Sequence, residues 1–394
     1  MEFNEMTSLY CVNAEHGFCT KPTGDLVPCC ISKQVIQADD GKSANLSTHD
    51  AEAIWNGQYL KDLRADLNAG IEHKNCQQCW DEEAAGYPSK RIRDNARWSQ
   101  LDFVPTGATP KLLDLSLGNT CNLACRTCGT FASSRWYKES QRQQLNPVQR
   151  TELKVLNDTI SSSYDEQANI WSFLDKTLPE VLHIDFYGGE PMLVKRHWAM
   201  LDNIPDSQAQ NISLHFNTNG TQWDDEYANT LKRFKAVIID LSIDGIEDKF
   251  EYMRWPAEWS EVSNNILRFK QLSDENPQIQ VGICVTLSIL NIWSLPETLD
   301  YVHKTGLSCY LNLLFQPASM CLKNLPDNAR DLVLDRLAAV EHGQIASVRE
   351  FIRSNTFNLN LRSELFRTLQ EHDILRSQSF RTMHPLLVEA LTSV

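Results

Sequence analysis

Six short runs rich in β-branched and aromatic residues, separated by segments long enough for helices, constrain the fold of this chain most strongly. The runs span residues 112–117, 183–187, 212–217, 237–243, 279–287 and 310–315. Connections of this length favour parallel pairing, because a parallel strand needs a crossover that a helix usually supplies. Most runs are apolar at successive positions, which is typical of strands buried on both faces. The pattern predicts an α/β fold, a partial (β/α)6 TIM-like barrel.

Cysteine placement and helical patterning divide the 394 residues into three parts. Residues 1–100 carry half of the 12 cysteines and are expected to form an N-terminal module. Residues 101–325 contain the six runs and are expected to form the barrel. Residues 326–394 repeat apolar side chains at helical spacing, so we expect a helical C-terminal segment packed on the barrel.

A compact cysteine motif follows the first run, Cys121-Asn-Leu-Ala-Cys125-Arg-Thr-Cys128. Three thiolates can hold an iron–sulfur cluster and leave one iron open, whereas electron-transfer clusters usually close that position with a fourth cysteine. An open iron can bind a small molecule, so the motif indicates chemistry at the metal. A zinc site is the alternative, although structural zinc usually takes four protein ligands from paired motifs.

Polar or glycine-rich segments also follow the next three runs. Gly188-Gly189-Glu190-Pro191 follows the second run, Asn217-Thr218-Asn219-Gly220 the third, and Asp244-Gly245 the fourth. Parallel barrels build their active sites at the carboxyl ends of the strands. Each segment could also be an ordinary turn, since these residue types are common in turns.

Composition narrows the classes of partner and the compartment. With 51 acidic residues against 37 basic ones, the chain lacks the excess of positive charge typical of a nucleic-acid-binding protein. No apolar run is long enough for a membrane span, and the polar start MEFNEMTS is unlike a signal peptide. We therefore expect a cytoplasmic protein, in which clustered cysteines indicate metal ligation more than disulfides.

Taken together, Cys121, Cys125 and Cys128 after one strand and Gly-Gly-Glu-Pro after the next resemble the radical S-adenosylmethionine (SAM) superfamily. The N-terminal segments Pro28-Cys29-Cys30 and Cys76-Gln-Gln-Cys79-Trp80 resemble the twitch or SPASM module, which carries an auxiliary cluster. The resemblance implies a [4Fe-4S] cluster on the three motif cysteines, SAM bound to its open iron, and a second [4Fe-4S] cluster in residues 1–100.

The resemblance also implies roles for residues around SAM. Glu190 would accept hydrogen bonds from the SAM ammonium group, while Gly188 and Gly189 would let the backbone approach the ligand. Arg254 would pair with the SAM carboxylate, which its planar guanidinium matches. We treat an ordinary ion pair for Arg254 as an equal alternative.

Other predicted SAM contacts are less specific. Ser242 and Asp244, at the end of the fourth run, would bind the ribose hydroxyls, and Asn217 and Asn219 would line the rim after the third. Thr127 departs from the superfamily pattern, because the position before the last cysteine is commonly aromatic or large and apolar. How the adenine is held is therefore left open, with Tyr187 or Phe131 as substitutes.

In the N-terminal module, the resemblance implies that Cys11, Cys29, Cys76 and Cys79 hold the auxiliary cluster. Adjacent side chains in extended chain point in opposite directions, so only one of Cys29 and Cys30 is expected to be a ligand, with Cys30 as the alternate. Cys19 is an alternate for Cys11. A structural zinc site is the competing interpretation, because four thiolates suit either metal.

The expected function is a radical SAM enzyme that cleaves SAM to a 5′-deoxyadenosyl radical and takes hydrogen from a substrate. Modification of a peptide or protein is the leading substrate class. The alternatives are a small-molecule dehydrogenase or epimerase and a non-enzymatic iron–sulfur or zinc protein. Family analogy implies a flavodoxin or ferredoxin as electron donor.

Overall fold

The computed structural model describes residues 9–84, 86, 88–102, 104–141, 146–164, 168–354 and 356–393. Its strands form one eight-stranded sheet in the order β2-β1-β3-β4-β5-β6-β7-β8. Their bounds are β1 Gly17–Thr20, β2 Leu26–Val27, β3 Leu112–Ser116, β4 His183–Tyr187, β5 Ser213–Thr218, β6 Ala236–Ser242, β7 Ile279–Leu287 and β8 Ser308–Leu313. The pairs β1–β3, β3–β4, β4–β5 and β7–β8 are parallel, and β1–β2 is antiparallel.

At least one α-helix lies between each pair of consecutive strands from β3 to β8. The α-helices are α1 Val12–His16, α2 Ala51–Trp55, α3 Gln58–Asn68, α4 Gln77–Ala84, α5 Lys90–Arg97, α6 Ser134–Ser140, α7 Pro147–Ser163, α8 Asn169–Thr177, α9 Lys195–Asp202, α10 Asp206–Ala209, α11 Asp225–Leu231, α12 Glu247–Met253, α13 Trp259–Glu275, α14 Leu295–Thr305, α15 Asp327–Arg336, α16 Ile345–Arg353, α17 Leu359–Arg376, α18 Phe380–Met383 and α19 Pro385–Thr392.

Local sequence explains where several helices begin and end. Asn146 caps α7 in a capping box with Gln149, and Pro147 occupies the first helical position, where its missing N–H costs nothing. Helix α14 ends at Gly306, whose φ of 71° is the left-handed conformation that favours glycine at a helix C-terminus.

The predicted α/β class and partial (β/α)6 barrel are confirmed. The second and fifth predicted strands coincide with β4 and β7, and the others are displaced by one or two residues. The helical character of the C-terminal segment is also confirmed by α15 to α19. The sequence did not predict β1 and β2, which extend the sheet beyond β3.

The expectation of strands that are apolar on both faces is wrong for β5 and β6. In both strands, fully buried residues alternate with partly exposed ones. The partly exposed positions carry polar side chains such as His215 and Asp240. Alternation of this kind means that one face packs in a core while the other is accessible.

The described chain divides into two compact units, each considered separately below. The first comprises the residues up to Asn122, Thr130–Phe216 and Asn229–Val237, and the second comprises Leu123–Gly129, Asn217–Ala228 and the residues from Ile238 onward. The boundaries at residues 100 and 325 stay predictions. No helix in the described parts of the chain is long and apolar enough to cross a membrane, and the cytoplasmic location also stays a prediction.

Aromatic stacking supports the core of the first unit. Phe186 of β4 and Phe216 of β5 stack with centroids 4.6 Å apart, and Trp198 of α9 stacks on Phe216 at 5.7 Å. All three side chains are at least 97% buried. Because such side chains bury a large apolar area, this stack ties the helix that follows β4 to the centre of the sheet.

Candidate active site

In the first unit, the cysteine motif begins in a loop that is fixed by hydrogen bonds. The N–H of Cys121 donates to Ser134 Oγ, and this hydroxyl donates back to the Cys121 carbonyl, both at 3.2 Å. Ser134 is the first residue of α6, and its own N–H donates to the Asn119 carbonyl at 2.7 Å. The start of the next helix therefore sets the backbone position of the first motif cysteine.

The Gly-Gly-Glu loop after β4 packs directly on this cysteine loop. Gly188 and Gly189 have φ values of 77° and 54°, a conformation that residues with a Cβ rarely adopt. A Cβ on Gly189 would lie 2.2 Å from the Thr120 carbonyl oxygen, and the N–H of Glu190 donates to the same oxygen at 2.7 Å. The second glycine is therefore required by the close approach of two backbones.

Glu190 itself is 99% buried, which is unusual for a carboxylate. Its Oε1 accepts the N–H of Met192 at 3.0 Å and so caps the short 3-10 turn Pro191–Leu193. The loop that contains Gly188, Gly189 and Glu190 therefore packs against the loop in which the cysteine motif begins. Its contact with SAM stays a prediction.

We predict that Gly189→Ala destabilises the protein more than Gly41→Ala. Both glycines have positive φ, so alanine costs about 1–2 kcal/mol of backbone strain at either position. A Cβ at Gly41 meets nothing within 4 Å, whereas at Gly189 it meets the Thr120 carbonyl. Urea unfolding of the two variants under anaerobic conditions measures the difference, and equal losses would contradict the close approach.

In the second unit, residues 124–126 of the motif run beside residues 253–255. The N–H of Ala124 donates to the Trp255 carbonyl at 2.7 Å, and the N–H of Arg126 donates to the Met253 carbonyl at 2.9 Å. The residue between these two acceptors is Arg254, whose Nη1 lies 4.0 Å from Cys125 Sγ. The backbone pairing therefore places a guanidinium beside the second motif cysteine.

Arg254 also forms a buried ion pair, since its Nη2 lies 2.6 Å from Asp244 Oδ2. The other carboxylate oxygen of Asp244 accepts the Thr286 N–H at 2.9 Å, and the Asp244 carbonyl accepts from the Asn291 side chain at 3.0 Å. The ion pair that the sequence held open as an alternative for Arg254 is thus present. The predicted contacts of Arg254 with the SAM carboxylate and of Asp244 with the ribose stay predictions.

The remaining predicted SAM residues of the second unit lie at strand ends. Asn217 and Ser242 are partly buried near the ends of β5 and β6. Asn219 is buried, and its Oδ1 accepts from the N–H and the hydroxyl of Thr221 at 2.9 and 2.7 Å, so it also forms a local turn. Thr127 is partly buried. None of these placements tests a contact with SAM.

The sequence reasoning missed Arg126, the residue after the second motif cysteine. Its side chain is fully buried and pairs with Asp373 of α17 at 2.8 Å, while Gln378 Oε1 accepts a second bond at 2.9 Å. Nε donates to the Tyr252 carbonyl at 2.8 Å, and the guanidinium carbon lies 3.6 Å from the centre of the Tyr252 ring. The C-terminal helices therefore contact the cysteine loop directly.

We predict that Asp373→Asn lowers the free energy of unfolding by about 3 kcal/mol, because it leaves the Arg126 cation buried without its counter-ion. The control is Asp300→Asn, which removes an exposed ion pair with Lys304. Such a pair contributes about 0.5 kcal/mol or less. Anaerobic urea titrations compare the variants, and similar small losses would show that Asp373 does not stabilise the loop.

The first unit brings the four predicted auxiliary-cluster cysteines together. Cys11 precedes α1, Cys29 follows β2, Cys76 ends a 3-10 turn and Cys79 lies in α4. Burial is the main cause that raises the pKa of the Cys11, Cys29 and Cys76 thiols to about 12, and the charges of at least two others of the four contribute to each of these shifts. The set is therefore mutually close. Deprotonation at neutral pH would need a bound cation such as iron.

The two alternates, Cys19 and Cys30, lie towards Asp114. Burial raises the pKa of both thiols well above its usual range, and the negative charge of Asp114 raises it further. The Cys30 thiol also interacts with the Asp114 side chain through a hydrogen bond. This placement separates Cys30 from the neighbouring Cys29, as expected for adjacent side chains in extended chain.

A polar row that the sequence reasoning also missed crosses four parallel strands of the first unit. Cys19, Asp114, Asp185 and His215 occupy the same register on β1, β3, β4 and β5. Asp185 Oδ1 lies 2.8 Å from His215 Nδ1 and 3.2 Å from His183 Nε2. Although burial raises the pKa of Asp185, the two imidazoles hold it well below its usual range.

A small cavity of about 40 Å³ adjoins this row, and Cys29, Lys90, Asp114, His183 and Asp185 are among its lining residues. Its volume suffices for ordered water. The signal in the sequence was the recurrence of Asp or His at alternate positions of otherwise apolar runs, as in Leu-Leu-Asp-Leu-Ser and His-Ile-Asp-Phe-Tyr.

Two family models match the chain. Residues 115–302 match the radical SAM superfamily, and residues 11–80 match the SPASM iron–sulfur cluster-binding domain. The chain therefore contains a radical SAM domain with a SPASM domain ahead of it. This confirms the predicted resemblance, including the auxiliary module placed before the barrel, and supports the prediction of an enzyme. The superfamily implies a [4Fe-4S] cluster and SAM, and the SPASM domain implies auxiliary iron–sulfur.

Curated relatives are distant. The chain is 22% identical over 267 residues to the sporulation killing factor maturation protein SkfB of Bacillus subtilis, covering 67% of this chain and 55% of SkfB. It thus spans about half the length of that relative. It is also 24% identical over 159 residues to a 2,3-bisphosphoglycerate-dependent phosphoglycerate mutase of Enterococcus faecalis, covering 36% of this chain and 69% of the mutase.

Among solved structures, Streptococcus suis SuiB bound to the precursor peptide SuiA is 15% identical, with a TM-score of 0.37, and the match covers 66% of this chain and 52% of SuiB. Native anSMEcpe with bound AdoMet and the Cp18Cys peptide is 15% identical, with a TM-score of 0.34, and covers 68% of this chain and 66% of that one. At these values the two family models remain the basis of the assignment.

The donor atoms suit iron–sulfur ligation. None of the 12 cysteines, all of which lie in the described ranges, is part of a disulfide. Among the described residues, no three His, Cys, Asp or Glu side chains are arranged to hold one metal ion. Thiolates are the usual ligands of iron–sulfur clusters.

Proposed function

We propose that this chain is a radical SAM enzyme that modifies a peptide or protein. Cys121, Cys125 and Cys128 would hold a [4Fe-4S] cluster, and the cluster with SAM would supply reductive cleavage of SAM and abstraction of hydrogen from the substrate. The observation that carries this proposal is the packing of the Gly-Gly-Glu loop on the cysteine loop through the Thr120 carbonyl. Two motifs that are separate in the sequence are therefore in contact through Thr120.

The chain's own residues orient the cofactor. Gly188 and Gly189 keep the loop free of side chains, and Glu190 offers a buried carboxylate to the SAM ammonium group, which favours a charge-assisted hydrogen bond. Asn217, Asn219, Ser242 and Asp244 contribute polar groups at strand ends for the ribose and the amino-acid part. Their burial limits water around the bound cofactor, which strengthens each electrostatic contact.

We further propose that Cys11, Cys29, Cys76 and Cys79 hold an auxiliary [4Fe-4S] cluster that accepts an electron from the substrate radical. Cys29 lines the same cavity as Asp114 and Asp185. An electron acceptor beside carboxylates suits an oxidative modification, because oxidation of a radical releases a proton together with the electron. Bracing of the substrate pocket by the cluster is the alternative role.

A peptide substrate is supported by the relatives rather than by a contact in this chain. SkfB is a maturation protein for a killing factor, and SuiB has been solved with a precursor peptide. A small-molecule dehydrogenase or epimerase is the second candidate, although the cavity of about 40 Å³ in the first unit has room for water only. A flavodoxin or ferredoxin as electron donor rests on family analogy.

We predict that the anaerobically reconstituted full-length chain releases 5′-deoxyadenosine from SAM when dithionite is added. Cys125→Ala should abolish the release, because two thiolates no longer hold the cluster. The matched control is Cys309→Ala, which removes a partly buried thiol in β8 and should leave release unchanged. Chromatography of the quenched reaction measures the nucleoside. Equal release from wild type and Cys125→Ala would refute the proposal.

We also predict that purified protein contains about eight irons, falling to about four when Cys121, Cys125 and Cys128 are all replaced by alanine. Cys29→Ala should lower the iron of the auxiliary site, whereas Cys30→Ala, its neighbour in sequence, should not. Iron and sulfide assays on anaerobic protein measure both effects. A decrease from about four irons to none in the triple variant would remove the auxiliary cluster from the proposal.

A further inference from the structure

Arg254 is a buried cation whose two terminal nitrogens both have partners within the second unit. Nη2 lies 2.6 Å from Asp244 Oδ2, and Nη1 lies 4.0 Å from Cys125 Sγ. The residue is 91% buried, so water screens neither contact strongly. A single guanidinium therefore lies between the second motif cysteine and a buried carboxylate.

The position of Arg254 is fixed by the backbone on both sides. The carbonyls of Met253 and Trp255 accept hydrogen bonds from the motif residues Arg126 and Ala124, and the N–H of Arg254 donates to the carbonyl of Phe250 in α12 at 2.8 Å. The Asp244 carboxylate that holds the side chain is itself held by the Thr286 N–H. Because its backbone and its guanidinium are both held, the Arg254 side chain is already in place beside the Cys125 sulfur. No conformational entropy is therefore lost in ordering it when the cluster is reduced.

We propose that Arg254 is a positioning residue that sets the reduction potential of the SAM cluster through the sulfur of Cys125, with Asp244 as its counter-ion. This inference rests on the proposed function, because it takes Cys125 as a cluster ligand. Reduction adds negative charge to the cluster and its sulfurs. Hydrogen bonds and positive charge at those sulfurs stabilise the reduced state and raise the potential. Asp244 offsets part of that effect and keeps the guanidinium in place.

This role differs from the predicted contact of Arg254 with the SAM carboxylate. Arg254 Nε is buried and has no hydrogen-bond partner among the described residues, so it stays available for a ligand while Nη1 and Nη2 are engaged. Contact with SAM would change the affinity for SAM and would leave the potential of the SAM-free cluster unchanged. The two roles therefore predict different results before SAM is added.

The test is a redox titration of the anaerobically reconstituted full-length protein without SAM, followed by electron paramagnetic resonance. Signals of the SAM cluster are those that Cys125→Ala removes. Arg254→Gln should lower the potential by about 59 mV, a tenfold change in the reduction equilibrium of a one-electron couple. Arg254→Lys, which keeps the charge, should lower it less. Asp244→Asn, which keeps Arg254 and removes its counter-ion, should raise it.

The control is Arg268→Gln, which removes one positive charge at an exposed position of α13 and should leave the potential unchanged. Iron content is measured for each variant, so that loss of the cluster is separated from a shift in its potential. If Arg254→Gln does not retain the cluster, the opposite shifts expected of Arg254→Lys and Asp244→Asn still decide the matter.

An unchanged potential in Arg254→Gln, or shifts of the same sign in the Arg254 and Asp244 variants, would overturn the inference. If the proposed function itself is wrong, a different set of results is expected. In that case, Cys125→Ala would keep all the paramagnetic signals and the wild-type protein would release no 5′-deoxyadenosine.

Discussion

The cysteine loop depends on one buried cation, Arg126, which lies between the second and third motif cysteines. Burial lowers the pKa of its guanidinium, and the charge of Asp373 opposes that shift. A buried ion pair adds little net stability compared with an apolar replacement, but removing one partner is costly. The pair therefore acts mainly as a constraint on conformation. The carboxylate that α17 supplies holds the Arg126 side chain, and with it this part of the loop, in one position.

The same principle recurs at Arg254, whose counter-ion Asp244 comes from the end of β6. Arg126 follows a motif cysteine in sequence and Arg254 lies beside one in space, and both pair with a carboxylate outside the motif. The loop itself contributes no acidic residue between Cys121 and Cys128. Thiolates that bind iron carry negative charge, so neighbouring carboxylates would oppose cluster binding. The charged side chains at the motif are instead the cations Arg126 and Arg254, and their counter-ions Asp373 and Asp244 lie outside the motif.

Sequence patterns were sufficient for the features that depend on local residue order. The strands His183–Tyr187 and Ile279–Leu287 were predicted at their observed bounds, because turn or polar residues flank runs rich in apolar and β-branched residues. Gly188 and Gly189 were predicted to let the backbone approach a ligand, which stays a prediction. The close approach that the structure shows is that of Gly189 to the Thr120 carbonyl.

Features that depend on distant parts of the chain were not predictable. Arg126 looks like a solvated residue until Asp373, which lies 247 positions further on, is placed beside it. The strand Gly17–Thr20 has an ordinary sequence, and its pairing with Leu112 to Asp114 is set by tertiary packing. The sequence distinguished Cys29 from Cys30 only because adjacent side chains point in opposite directions in extended chain. It did not show that Cys30 is the one that lies beside Asp114.

The pairing of β1 with β3 also has a consequence for chemistry. Strand β1 lies between Cys11 and Cys29 in the sequence. Its residue Cys19 occupies the same register as Asp114, Asp185 and His215 on the neighbouring strands. If the N-terminal module were joined to the barrel only by a flexible linker, this register would not exist. Because the module contributes a strand to the sheet, its cysteines keep a fixed distance to the polar row of β3, β4 and β5. The proposed auxiliary cluster would therefore lie at a fixed distance from that row.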